Sequence, residues 1–467
     1  MPNNRTERTI SIMLFLAIVT ALMVWWDGWN LAHKRDITAN WLNPTIAVRN
    51  SGCAAKTGVY LVACDYRGNF LLYSDIRGDN LSPEDRNLLG DLGRSTDDMG
   101  QAFFLNMVAA ISGEVQRVTT VGKINFAINM LGLMILWILV FRLGGLMGNL
   151  VLLMIGLIAA NEKIFMSWHS MVEFFIDTTS HGAFFGVAIL AGLPAFVLIE
   201  LANRAPARQA LFSRIKWGVL LALALVGFAI ASMMRESLAL SGFIALVTVG
   251  FFIWNRERDH RQLLLIAPLV VIAYLLLKIQ IFVSLLGQYI YHLPPPETVV
   301  GHGMAFSLVT GLGVIPNGLG LQGNDIDTID LMTRLHPNLA YGFKEYYAAL
   351  SDWYLQTLIT HPLEVARIYF AKLYYILVDR GHGLMMGLSV LLFWLGLRRF
   401  KITSDEWFKQ KYLDYGTLFG TSLLMIMLQG VLVFMTRDYL MPITIFCALY
   451  MAIGIGRFYP LHIIRSA

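Results

Sequence analysis

Two adjacent carboxylates, Asp97 and Asp98, are the residues whose type and position most favour chemistry in this chain. They belong to the stretch STDDMGQAFFLNMVAAISG, residues 95–113, in which a Ser or Thr precedes an acid and apolar residues then recur at helical spacing. This pattern predicts a capped amphipathic helix with both acids in its first turn. On a membrane surface such a helix would hold a carboxylate at the water boundary, where it can act as a general base. The alternative is that both acids only complement the helix dipole, which stabilises a helix by about 0.3–1 kcal/mol.

Four cationic or imidazole side chains are candidates for binding a phosphate-bearing donor. Arg235 and Lys278 interrupt apolar stretches, where an unpaired charge is costly. Arg235 can contact a phosphate through two parallel hydrogen bonds, or it can pair with its neighbour Glu236 in a solvated turn. Lys278 can face an internal phosphate, or its long side chain can extend to the membrane surface. His302, in a Gly-His-Gly triplet, and Arg380 complete this set.

His169 and Glu173 are four residues apart and therefore share one face of a predicted helix, where they are candidates for contact with the acceptor or the sugar. The stretch lacks a third ligand at useful spacing, so the pair predicts no metal site. No cofactor is predicted with certainty, and a divalent metal is the one that the sequence leaves open. The chain has no P-loop, dinucleotide fingerprint, nucleophile elbow or zinc-cluster pattern, which argues against an ATP-driven pump.

The composition predicts an all-α, polytopic membrane protein. Of the 467 residues, 57% are hydrophobic and only 14% are charged, and the mean hydropathy is +0.60, far above the apolar content of a soluble domain. About ten stretches are long enough to span a bilayer. They lie at residues 10–26, 124–141, 146–160, 182–201, 217–234, 238–254, 263–286, 382–397, 417–434 and 440–455.

Arginine and lysine residues cluster in alternate short connections between these stretches, and the positive-inside rule therefore predicts that both termini are cytoplasmic. The expected location is a bacterial inner membrane, with the active site on the outer or periplasmic face. This orientation predicts a first transmembrane helix (1–26), an outer loop with a small hairpin and an interfacial helix (27–122), transmembrane helices two to seven (123–286), a second outer loop with amphipathic helices (287–380), and the last three transmembrane helices with a cytoplasmic tail (381–467).

The first outer loop contains two cysteines, Cys53 and Cys64. Two β-like runs, at 58–63 and 69–73, flank Cys64 and predict a small hairpin. In an oxidising compartment the two cysteines can form a disulfide, and the alternative is a pair of free thiols. Cys447 lies in the last apolar stretch and is predicted to be a small core residue.

The second outer loop begins with three prolines at 294–296, which predict a stiff elbow. Residues 301–331 are rich in glycine and predict a folded loop rather than a stable helix. Apolar residues then recur at helical spacing on both sides of His361 and Pro362. This spacing predicts two amphipathic helices at the membrane surface.

These features, in this order, resemble the GT-C class of integral-membrane glycosyltransferases, the broad group around the protein O-mannosyltransferases and the aminoarabinose transferase of lipid A. In that class the first outer loop typically contains an interfacial helix with an acidic pair, to which DDMGQAFFLNMVAAISG at 97–113 is similar. The resemblance implies that Asp97 is the catalytic base and Asp98 its neighbour, with Asp27, directly after the first span, as an alternative match. The likeness extends to an acid, an arginine and a segment similar to the "H-P" helix of bacterial members: Glu173, Arg235 and residues 345–377.

The resemblance implies transfer of a sugar from a polyprenyl-phosphate donor to a glycan, lipid or protein acceptor on the outer face of the membrane, with inversion at the anomeric carbon. Membrane lipids are the expected surroundings, and nucleic acid is not an expected partner. Two other functions fit a chain with many spans and large outer loops. One is a polysaccharide polymerase or ligase, which uses lipid-pyrophosphate donors. The other is a lipid or sugar transporter or flippase without chemistry, for which charges at mid-depth in the membrane would be expected.

Overall fold

The computed structural model describes the chain over residues 5–32, 51, 54–55, 58, 61–63, 90–91, 99–114, 118–159, 183–203, 211–257, 260–291, 303–339, 344–379, 382–400, 406–433 and 437–458. Nearly all of these residues are helical. In chain order the helices are α1 (Arg5–Ala32), α2 (Gly100–Ser112), α3 (Val118–Ala159), α4 (Phe184–Ala191), α5 (Leu193–Ala202), α6 (Leu211–Met234), α7 (Glu236–Glu257), α8 (His260–Leu277), α9 (Ile279–Tyr291), α10 (Gly303–Leu312), α11 (Asp325–Leu335), α12 (Lys344–Thr360), α13 (Pro362–Tyr374), α14 (His382–Phe400), α15 (Glu406–Leu432) and α16 (Arg437–Phe458), and a π-helical turn (Tyr375–Asp379) joins α13 to α14.

Two short strands, β1 (Val62–Ala63) and β2 (Gly90–Asp91), pair antiparallel, with Val62 opposite Asp91 and Ala63 opposite Gly90. The end of the first predicted β-like run therefore does form a strand. Its partner in this pair lies near residue 90, well beyond the predicted partner at 69–73, which lies outside the described residues.

The prediction of an all-helical, multi-pass membrane protein is confirmed. Within the described residues, six helices are long and apolar enough to cross a membrane, or up to eight if each of two bent helix pairs counts as one span. The bent pairs are Leu264–Leu277 with Ile279–Ile290, at 58°, and Pro362–Val378 with His382–Arg398, at 61°. The shorter apolar helix Pro442–Phe458 falls below the length of the six.

Helix α3 turns back on itself at Gly145, whose φ of 70° and ψ of −166° are not helical. A Cβ atom on Gly148 would lie 3.0 Å from Cγ1 of Val140. The Ser11 hydroxyl oxygen accepts hydrogen bonds both from Trp137 Nε1 (3.0 Å) and from Asn149 Nδ2 (2.7 Å). Twelve residues of straight helix would separate these two donors by about 18 Å. The chain therefore reverses between the two stretches, 124–141 and 146–160, that the sequence separates.

Closely packed glycines join the helices of the bundle. A Cβ atom on Gly456 of α16 would lie 2.3 Å from the carbonyl oxygen of Gly144 in α3, and one on Gly454 would lie 2.5 Å from that of Leu392 in α14. Where apolar side chains gain nothing from leaving lipid, small residues allow helix backbones to approach and gain packing energy. These contacts centre the main core on α3, α14 and α16.

One end of the bundle, here called the Arg142 end, is held together by two buried carboxylates. Asp414 accepts hydrogen bonds from Arg256 (3.0 Å) and Asn203 (2.7 Å). Glu200 is surrounded by donors from α3 and α15: Arg142 at 3.7 Å, Lys411 at 2.7 Å and the Tyr415 hydroxyl at 2.6 Å. Helices α3, α5, α7 and α15 thus meet where the charge pattern predicts the cytoplasmic side.

Helices α10 to α13 enclose a second core, in which Phe306, Tyr346 and Ile368 are buried. Two helices, α12 and α13, do lie on either side of His361, as predicted; their placement at the membrane surface stays a prediction. The expectation of a folded loop over 301–331 is only partly correct, because α10 and α11 occupy 303–312 and 325–335. Between them, Asn317 holds the loop by donating to the carbonyls of Ile315 and Leu321 and accepting from the N–H groups of Leu319 and Leu321.

Candidate functional site

Helix α2 begins at Gly100, with Met99 at its N-cap position, and it ends at Gly113, whose φ of 68° is typical of a helix C-terminus. The predicted end at residue 113 is therefore correct. The predicted start is wrong, because the first turn contains no acid. Asp97 and Asp98 lie just before the helix and outside the described residues.

The N-terminus of α2 packs directly against the end of α6. A Cβ atom on Gly100 would lie 2.6 Å from the carbonyl oxygen of Met233 and 2.9 Å from the backbone nitrogen of Met234. Only glycine allows so close an approach of two backbones. Arg235 follows Met234 directly, so the contact brings Gly100, the first residue of α2, beside the predicted phosphate-binding arginine.

Arg235 lies between α6 and α7 and is half-buried. Its guanidinium carbon is 5.4 Å from the centre of the Phe184 ring. Phe184 is the first residue of α4, so the guanidinium lies over the side chain that begins a helix, and a helix N-terminus carries a partial positive charge. A cation and a helix N-terminus each favour a bound anion.

Buried amides connect α2, α3 and α4 at this end of the bundle, here called the Arg235 end. Gln101 Nε2 donates to Asn125 Oδ1 at 3.2 Å, and Asn129 Oδ1 accepts from the backbone N–H of Gly186 at 2.8 Å. All three amide side chains are buried. These residues were not predicted from sequence, although two asparagines four residues apart in an otherwise apolar span were a usable signal.

Lys278 lies at the junction of α8 and α9, and its Nζ is 2.5 Å from Oε1 of Glu236, the first residue of α7. Both side chains remain partly exposed. Two cations and one carboxylate, Arg235, Lys278 and Glu236, give this group a formal charge of +1 (2 − 1). Lys278 is thus positioned by a carboxylate next to Arg235, and the group keeps an excess of positive charge.

The other predicted site residues divide into two groups. Asp27 lies within α1, which continues to Ala32, so the first helix is longer than the predicted boundary at residue 26. Cys447, which was predicted to be a small core residue, is buried, and its thiol is free. The remaining predicted residues lie outside the described residues: His169, Glu173, His302, Arg380, Cys53 and Cys64.

Lys372 of α13 was not among the residues predicted from sequence. Its side chain is fully buried, and its Nζ donates to the carbonyl oxygens of Gly311 (3.0 Å) and Val433 (2.8 Å). These carbonyls lie at the C-terminal ends of α10 and α15, where the helix dipoles are negative. Lys372 therefore joins the second core to the bundle through two helix ends.

No group of three or more His, Cys, Asp and Glu side chains that could hold a metal ion occurs within the described ranges. The comparisons with known proteins give no relative of this chain, since no family model, curated protein or solved structure matches it.

Proposed function

We propose that this chain is a membrane glycosyltransferase that moves a sugar from a polyprenyl-phosphate donor to a glycan, lipid or protein acceptor at the Arg235 end of the bundle. The observation that carries the proposal is the contact of Gly100 with Met233 and Met234. This contact joins two parts of the chain that the sequence selects separately, the acid-bearing stretch and the arginine. Both parts are needed at one place for this reaction.

In the proposed reaction, Asp97 accepts the proton of the acceptor hydroxyl as the acceptor oxygen forms a bond to the anomeric carbon. The bond between that carbon and the phosphate oxygen breaks in the same displacement, and polyprenyl phosphate leaves with the electron pair. Attack from the face opposite the leaving group inverts the anomeric centre. Arg235 and the N-terminus of α4 are suited to stabilise the phosphate as its charge grows.

The proposed topology has about ten spans, with both termini cytoplasmic. Each arm of α3 would cross the membrane, as would α8, α14 and α16 in addition to the other long apolar helices. An even number of spans places both termini on one side, which agrees with the basic residues at the Arg142 end. The Arg235 end would then face the outer, periplasmic side, where the acceptor arrives.

The test compares four variants in membranes that contain equal amounts of each protein: Asp97→Asn, Asp98→Asn, Asp27→Asn and Arg235→Lys. Membranes receive polyprenyl-phosphate donors with radiolabelled sugars, and label in glycan, lipid and protein fractions is measured. Asp97→Asn should transfer sugar about 10²–10⁴-fold more slowly than the wild type, because it keeps the size of the side chain but removes the proton acceptor. Arg235→Lys should also lower activity, because an ammonium group cannot reproduce two parallel contacts with phosphate.

The matched controls assign the base. Asp98→Asn should cost less than Asp97→Asn if Asp98 only orients its neighbour, and Asp27→Asn less again. Near-normal transfer by Asp97→Asn together with inactive Asp27→Asn would move the base to Asp27. Transfer at the wild-type rate by both variants would contradict the glycosyltransferase proposal, and label transfer from pyrophosphate donors alone would favour the polymerase or ligase.

A further inference from the structure

Helix α9 (Ile279–Tyr291) has its polar and apolar faces reversed relative to a helix on the surface of a water-soluble domain. Its exposed face consists of large apolar and aromatic side chains: Ile281, Phe282, Leu285, Leu286, Tyr289 and Ile290. Its inward face contains the polar residues. Ser284 is buried, and Gln280 Nε2 donates to the carbonyl oxygen of Ser232 at 2.7 Å. A helix in water keeps its polar face outside, so this arrangement indicates an apolar solvent.

The bend at Lys278 gives α9 a direction different from that of a span. Helix α8 has 18 residues and is about 27 Å long, close to the ~30 Å hydrocarbon core of a bilayer. The 13 residues of α9 follow at 58° to it. If α8 is perpendicular to the membrane, α9 rises by only about 10 Å while it extends about 17 Å sideways. Such a helix runs more along the membrane than across it.

Helix α8, which precedes the bend, also has large apolar side chains that are exposed. On α8 the exposed residues include Val271, Tyr274 and Leu275. Tyr289, near the far end of α9, is 79% exposed, and tyrosine is a residue that favours the boundary between lipid and water. Exposed apolar side chains thus occur on both helices, from a membrane-crossing candidate to an aromatic residue suited to the headgroup region.

We infer that α9 is an interfacial helix whose exposed face is embedded in the lipid of the membrane leaflet at the Arg235 end, so that α9 forms the wall between lipid and the candidate site. On its inner side, Ile279 and Val283 pack against the cluster formed by Met99, Ala102, Leu105, Val121 and Met233. This cluster includes both sides of the contact at Gly100. Lipid on the outer side of α9 is therefore separated from that contact by about one helix diameter, ~10 Å.

Two contacts fix the bend to the neighbouring helices. Lys278 pairs with Glu236 of α7, and the Ser232 hydroxyl of α6 donates to the carbonyl of Leu277 at 2.9 Å. The residues that break the span are thus bonded to the same helices that position Arg235. The inference does not depend on the proposed chemistry, because only burial, direction and polarity of α9 carry it.

The experiment uses the wild-type protein in nanodiscs of phosphatidylcholine and phosphatidylglycerol. One sample is photolabelled with a lipid-soluble diazirine and a parallel sample with a water-soluble one, and labelled positions are mapped by mass spectrometry. Val271 of α8 is the internal reference for lipid, and Leu335 of α11 is the reference for water. Phe282 and Leu285 should match Val271, with lipid-probe labelling several-fold above that at Leu335.

Two results would overturn the inference. Labelling of Phe282 and Leu285 by the water-soluble probe at the level of Leu335 would place α9 in the aqueous phase. Labelling by neither probe would mean that protein covers this face, either a second copy of the chain or another membrane protein. As a second measurement, Leu285→Asp should lower lipid-probe labelling of α9 several-fold, whereas Leu335→Asp should leave it unchanged; unchanged labelling in Leu285→Asp would also count against lipid burial.

Discussion

Gly100→Ala is expected to separate α2 from α6 and thereby to lower both stability and sugar transfer. The added Cβ would lie 2.6 Å from the carbonyl oxygen of Met233, whereas ordinary van der Waals contact begins at 3.4 Å. The helices must therefore move apart by about 0.8 Å, the difference between these two distances. The nearest atoms are backbone atoms, so no change of rotamer relieves the clash. Overpacking of this kind costs about 1–3 kcal/mol.

The effect on the reaction should exceed the effect on stability. A shift of about 1 Å in a reacting group can cost ~100-fold in rate, and α2 follows directly after the proposed base. Thermal unfolding of the purified protein in detergent measures the first effect, and transfer of radiolabelled sugar measures the second. Gly218→Ala, on the same helix as Met233, is the matched control, because a Cβ atom added there would have no other atom within 4 Å. This control should be neutral, or stabilising by up to about 1 kcal/mol from helix propensity.

Two results would refute this reasoning. If Gly100→Ala unfolds at the wild-type temperature and transfers sugar at the wild-type rate, α2 does not pack closely against α6 in the working protein. If Gly218→Ala is as unstable and inactive as Gly100→Ala, the loss reflects a general intolerance of alanine in these helices. If Gly100→Ala is less stable but transfers sugar normally, α2 does pack against α6, but this contact does not contribute to the reaction.

Two further predictions concern the other end of the bundle and the first outer loop. Asp414→Ala leaves the half-buried Arg256 without its carboxylate and should lower the free energy of unfolding by about 3 kcal/mol, the low end for a broken buried pair because Arg256 is partly exposed. The exposed Asp352→Ala is the control, and equal unfolding temperatures of the two variants would contradict the prediction. We also expect a disulfide between Cys53 and Cys64 that stabilises the fold by roughly 2–3 kcal/mol. Thiol titration of the denatured, unreduced protein should then find one reactive thiol, that of Cys447, and three reactive thiols would contradict the bond.

The sequence predicts the helical class and several helix ends because these depend on local pattern. Apolar length predicts the spans, Gly113 ends α2, and the residues around His361 separate α12 from α13. The site is harder to predict because its contacts join distant parts of the chain. Lys372 is held by the carbonyls of Gly311 and Val433, about sixty residues away on either side, and a backbone carbonyl has no signature in the sequence.

Helix α9 shows why hydropathy alone does not reveal a bend within an apolar stretch. The stretch 263–286 is apolar except for Lys278, Gln280 and Ser284, so its composition predicts one span. An interfacial helix that exposes its apolar face to lipid has the same composition as the end of a span, because both replace water by hydrocarbon on that face. The distinction lies in direction, and direction is set by the break at Lys278, which pairs with Glu236 across 42 positions of sequence. The charge of Lys278 inside an apolar run therefore indicates an interruption of the span. Only its pairing with Glu236 shows that this interruption is a bend. The bend directs α9 along the membrane and beside α2, the helix that follows Asp97 and Asp98.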